Sequence, residues 1–158
     1  MKRCGLLLCM LASALMAVGA AQASGSNGDQ ECTNVHATGV GQDLGNGVTV
    51  ATISRSGWLN GSTSGAFVIT GGAPPVFTVA GTVVFTTKHG ALTLTAAGTF
   101  DVSTGAFLTS GPVSAGTGKL VGATGTLTIA GVQNLATGAF TETVTGTICR
   151  AGDEEEDD

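Results

Sequence analysis

Few side chains in this sequence are equipped for chemistry, and Glu142 comes first among them. It stands in Ala139-Phe140-Thr141-Glu142-Thr143-Val144, where alternation puts it on one strand face with Phe140 and Val144. A carboxyl desolvated on such a face has a raised pKa and becomes a usable general acid or base. Two other readings compete: a register bulge that turns Glu142 outward, or an ion pair with Arg55 or Lys119. His36 is the second catalytic candidate, on a first strand expected to neighbour the last one. The competing and favoured reading is a surface histidine among Asn34 and Thr38. Trp58 follows Gly57 at a strand end, where it either lines a pocket or caps a barrel mouth. Arg55, inside an expected strand, reads as solvated.

Other chemistries lack their residues. Gly116-Thr117-Gly118-Lys119 imitates a phosphate loop, but Val113 stands where the first glycine belongs and Leu120 where Ser or Thr is required. No GxGxxG with a following helix occurs. His36 and His89 have no cysteine partners beside them, so there is no zinc signature and no metal is expected. No GxSxG elbow supports a hydrolase. No cofactor is implied. Asn60-Gly61-Ser62 is a glycosylation sequon if the host glycosylates exported proteins.

The elements that must position these residues are strands. Only 11% of the 158 residues are charged, with 26 glycines, 24 threonines, three prolines and no tyrosine. Length allows one domain. The net charge of −5 argues against a nucleic-acid partner. Composition also excludes a coiled coil and a collagen-like repeat. Period-two alternation predicts eight strands, near residues 33–41, 47–57, 65–70, 76–88, 91–102, 106–113, 119–130 and 139–149. Asn46-Gly47 and Asn60-Gly61 predict type I′ hairpins, and His89-Gly90 another reversal. A four-residue string recurs as Ser64-Gly65-Ala66-Phe67, Thr104-Gly105-Ala106-Phe107 and Thr137-Gly138-Ala139-Phe140. Each copy is expected to follow a turn and open a strand. One apolar face is expected to carry Phe77, Val79, Val83 and Phe85, then Leu92, Leu94 and Phe100, then Phe140, Val144 and Ile148. Eight antiparallel strands with one apolar face predict an all-β closed barrel, wide enough for packed side chains or one small ligand. Phe77, Phe85, Leu94, Phe100, Phe140 and Val144 are its expected ligand-lining residues.

The ends read differently from the body. Residues 1–23 combine a basic start, an apolar run and Ala21-Gln22-Ala23, the pattern of a cleaved signal peptide. A membrane anchor is the alternative, but the run is shorter than the roughly 20 residues a span requires, so no membrane span is expected. Residues 24–31 are expected to be a flexible N-terminus and 32–150 the barrel. Residues 151–158 form an acidic tail, read as disordered rather than as a calcium loop. Export to the exterior or periplasm favours a Cys32–Cys149 disulfide over two free thiols. It would bring the first and last strands together.

The segment Gly116-Thr117-Gly118-Lys119-Leu120-Val121-Gly122-Ala123-Thr124-Gly125 resembles the strand-opening motif of the dirigent and allene oxide cyclase barrel superfamily. The likeness extends from about Phe77 to Cys149. It implies a calycin-like eight-stranded barrel with an apolar cavity, often a homodimer or homotrimer. Members bind or cyclise hydrophobic small molecules, and the active ones use an inward acid. Three functions remain: an exported barrel binding an apolar small molecule, an isomerase or cyclase using Glu142, or a structural protein with a solid core.

Overall fold

A computed structural model describes residues 30–151. The expected signal segment, residues 24–29 and residues 152–158 lie outside the described residues. The barrel is longer than the 32–150 expected, because Gln30 pairs with Ala151 and Glu31 with Arg150 as regular ladder positions.

Eight strands follow in order: β1 Gln30–Gly45, β2 Val48–Ser54, β3 Gly61–Ala73, β4 Val76–Thr87, β5 Gly90–Asp101, β6 Ala106–Gly116, β7 Thr124–Gln133 and β8 Ala139–Ala151. Each is antiparallel to the next, and β8 pairs with β1 to close the barrel. Alternation puts Val35, Ala37 and Gly39 inside on β1, and Phe140, Glu142, Val144 and Ile148 inside on β8. The outward positions of β8 are threonines, which tolerate a wet pleated face. Cys32 and Cys149 are directly opposed across the β1–β8 seam and form the disulfide.

Up-and-down topology gives the barrel two unlike ends. The β1–β2, β3–β4, β5–β6 and β7–β8 hairpins share one end. The disulfide and the other three connections share the opposite end. Asn46 (φ 54°) and Gly47 (φ 76°) supply the two positive-φ positions that the β1–β2 turn needs.

The disulfide end is plugged. A 3-10 turn at Gly57–Leu59 and another at Gly118–Leu120 fold Leu59 and Leu120 inward to 1% exposure. Trp58 stacks between two polar groups. Its ring centroid lies 4.0 Å from that of His89, and the Arg150 guanidinium carbon sits 3.7 Å from the centroid of the Trp58 ring. Such a desolvated cation–aromatic contact is worth about 2 kcal/mol. Arg150 also donates to the Glu31 carboxylate at 3.0 Å. Above this plug, the side chains of Phe85, Leu92, Leu94, Leu127 and Val144 are fully buried in that half of the lumen.

Several sequence expectations change. Asn60-Gly61 is not a type I′ hairpin: Asn60 is extended, and its Oδ1 accepts from the Ser56 backbone N–H at 2.9 Å, because this connection turns Trp58 and Leu59 into the plug. Arg55 therefore lies in that connection, beyond β2. The string 64–67 lies within β3 and opens nothing. Gly65 faces inward within the strand, and a Cβ there would crowd the Thr49 hydroxyl and the Phe67 ring. The other two copies do follow turns, with Gly105 and Gly138 both at φ 75°. Segment 119–123 is not strand, because Gly118 and Gly122 take positive φ and the chain turns Leu120 into the plug. The 116–125 motif thus mostly connects β6 to β7 and only ends by opening a strand. Among the described residues no helix is long and apolar enough to cross a membrane.

The disulfide closes a loop with a sequence separation of 117, for which chain entropy sets a contribution of up to about 5 kcal/mol. A Cys32→Ser/Cys149→Ser variant is expected to lose about 2–5 kcal/mol of unfolding free energy in urea, read from the fluorescence of Trp58. A loss below about 1 kcal/mol would show that the ladder alone constrains the seam.

Candidate functional site

The half of the lumen toward the hairpins is not filled. A cavity of about 530 Å³ lies there, within the range of about 300–1,000 Å³ common for small-molecule sites. Its wall is largely apolar: Phe67, Val79, Val83, Phe100, Phe107, Ile129 and Phe140. Three of these phenylalanines come from the recurring four-residue string. Phe107 and Phe140 meet edge to face, with centroids 5.8 Å apart. Thr49, Thr63 and Thr109 add hydroxyls, while Asp43, Asn46 and Gln133 stand toward the mouth.

Glycines at inward positions decide how the side chains around this cavity lie. Glu142 pairs with Gly39 on β1 and with Gly131 on β7, so neither flanking position carries a side chain. A Cβ at Gly39 would lie 2.6 Å from Glu142 Cγ and 2.7 Å from its Oε1. One at Gly131 would collide with the Phe107 ring. These glycines let the carboxyl and the phenyl ring lie across the neighbouring strands.

Glu142 lines the cavity one inward position deeper than Phe140. Burial pushes its carboxyl up to about 7, with no opposing contribution from a hydrogen bond or a nearby cation. The ion pair with Arg55 or Lys119 does not form, since both bases sit at the plugged end. Asp43 is differently held. Its Oδ2 accepts from Gln133 Nε2 at 2.9 Å, and its Oδ1 accepts from the Gly45 backbone N–H at 2.7 Å.

His36 does not belong to this site. It is an exposed outward residue opposite Thr145, because β1 turns Val35 and Ala37 inward instead. Phe100 and Phe140 line the cavity. Phe85, Leu94 and Val144 share the inward face but lie in the packed layer beneath the cavity, too deep to line it. Phe77 is half-buried on the same face as Val79 but outside the cavity wall. Asp43, Gln133, Phe67 and Phe107 are lining residues absent from the sequence-derived set. Asp43 was legible in parity with Gly39 and Gly41, had the first strand been extended past residue 41. Among the described residues no three His, Cys, Asp or Glu side chains converge as a metal-holding group.

Comparisons of the chain with protein-family models, with curated proteins and with solved structures find no match.

A carboxyl held near 7 when folded, against 4.5 as its ordinary value, binds its proton more tightly in the folded state. Stability is therefore lost as pH rises between these values and stays reduced above 7. Glu142→Gln removes that loss and is expected to be more stable than the parent by on the order of 2–3 kcal/mol at about pH 8, with little difference near pH 4. Urea unfolding at both pH values measures it. Equal stabilities at the higher pH would mean that the carboxyl is solvated.

Proposed function

We propose that the protein is an exported barrel that binds an apolar small molecule in the open half of its lumen. The observation that carries this reading is the 530 Å³ cavity walled by Phe67, Phe100, Phe107 and Phe140. A barrel whose role was solely structural would gain from filling it, since apolar walls without packing partners forfeit dispersion contacts. Evolved cores are packed to crystal-like density, and in the plugged half of this lumen Phe85, Leu92, Leu94, Leu127 and Val144 are fully buried. The disulfide and the leader-like residues 1–23 support export. The likeness of segment 116–125 to dirigent and allene oxide cyclase barrels supports the same reading of the lumen.

One observation favours a second reading, an isomerase or cyclase. A carboxyl near 7 inside a substrate-sized cavity is able both to give and to take a proton at neutral pH. In that case Glu142 is the proton-transfer group, and Glu142→Gln is expected to lower kcat on an identified substrate by about a hundredfold or more.

Binding is tested first with an environment-sensitive apolar fluorophore such as N-phenylnaphthylamine. The expected result is saturable binding with one site per chain. Val79→Trp, which puts an indole into the cavity, is expected to weaken it at least tenfold, a loss of about 1.4 kcal/mol. Absence of saturable binding to a panel of such probes would favour the structural role.

A further inference from the structure

Charge is divided along the barrel axis. Among the described residues Arg55, Lys88, His89, Lys119 and Arg150 all lie at the plugged end, in its connections or on the strand leading out of it. Their proximity is felt there: desolvation comes first in holding His89 below its ordinary value, and Lys88, Lys119 and Arg150 add to it. The acid at that end, Glu31, is already paired with Arg150. Asp43, Asp101 and Glu142 belong to the hairpin half. The cavity is lined by two carboxyl groups and by no lysine, arginine or histidine.

We propose that this lumen selects amphiphiles bearing a protonated amine, with the ammonium nitrogen paired to Glu142 and the apolar body held among the phenylalanine rings. The inference rests on the cavity being a ligand site and names the class of ligand it takes. Glu142 has lone pairs that no described group engages, whereas an ammonium brings three donors and the missing counter-charge. Phe107 and Phe140 line the same cavity as Glu142, and an aromatic ring face near an ammonium favours the cation over a neutral group. An anionic amphiphile would meet two carboxyl groups and no cationic side chain in the lining, so its charge would be desolvated without a counter-charge. Asp43, four residues and about 13 Å further along β1 toward the mouth, adds negative potential on the entry path.

Elements packed around Glu142 bring no competing base. β1 presents Gly39 and then Asp43, β7 presents Gly131 and Gln133, and β2 contributes Ile53. Asp43 is the only other titratable group in the lining, and Gln133 and the Gly45 backbone N–H already occupy it. An ammonium entering the site therefore pairs with Glu142 and displaces its proton to solvent.

Calorimetric titration with phenylbutylamine and with phenylbutanol, alike except for the charged group, tests this. Near pH 7.5 the amine is expected to bind at least about tenfold more tightly than the alcohol. Its affinity is expected to fall about tenfold or more toward pH 5.5, with close to one proton released per amine bound at the lower pH, read by repeating the titration in buffers of different ionisation enthalpy. In Glu142→Gln the amine-to-alcohol preference is expected to fall to about one, with urea midpoints confirming that the variant is folded. Equal binding of amine and alcohol by the parent, or a preference that survives in Glu142→Gln, would overturn the amine assignment while leaving an apolar binding site. Failure of both compounds to bind would overturn the ligand-site reading itself.

Discussion

The seam between β1 and β8 is the constraint on which the rest of the molecule depends. Thirteen register pairs join these strands, and the disulfide fixes the same register from outside. That pairing sets Glu142 opposite Gly39, which leaves room for its carboxyl, and Glu31 opposite Arg150, which completes the plug. A slip by one residue would turn Phe140, Glu142 and Val144 to the outside and bring their threonine neighbours into the lumen. Register, more than any single contact, decides that an acid faces inward here.

Within the closed barrel, side-chain size divides the lumen. Leucine, phenylalanine and valine fill the half next to the disulfide, and the two short connections add Trp58, Leu59 and Leu120 over its end. The other half is open, and there the inward glycines Gly39 and Gly131 let Glu142 and Phe107 lie across the neighbouring strands. The plugged half gives the core its rigidity, and the open half holds the one unpaired acid in apolar surroundings. Keeping that acid ionised above neutrality weakens the fold, a cost that a ligand-binding role accounts for and a purely structural role does not.

Alternation was the legible part of the sequence. It places Glu142 inside, locates most of the strands, and makes a Cys32–Cys149 bridge compatible with closure. Depth was not legible. Parity assigns Phe85, Leu94, Phe100 and Phe140 to the same face, yet two sit in the packed layer and two in the cavity wall, because position along the axis depends on barrel stagger. His36 takes its surface reading, because the inward positions of that strand are Val35, Ala37 and Gly39. The sequence left Trp58 open between lining a pocket and capping the mouth, and its contacts with Arg150 and His89 depend on a connection that resembles a hairpin turn in sequence. Glycine caused the remaining errors: it marks turns at Gly105 and Gly138 but close packing at Gly65.

The carboxyl group of Glu142 stands among the apolar side chains of the cavity without a hydrogen-bond or ion-pair partner among the described residues. Carbon-13 NMR of the Glu142 side-chain carboxyl, followed across pH in the ligand-free protein and assigned by its loss in Glu142→Gln, tests this most directly. The expected titration midpoint is about 7. A midpoint at the ordinary 4.5 would contradict the claim, placing the group in water or beside a cation.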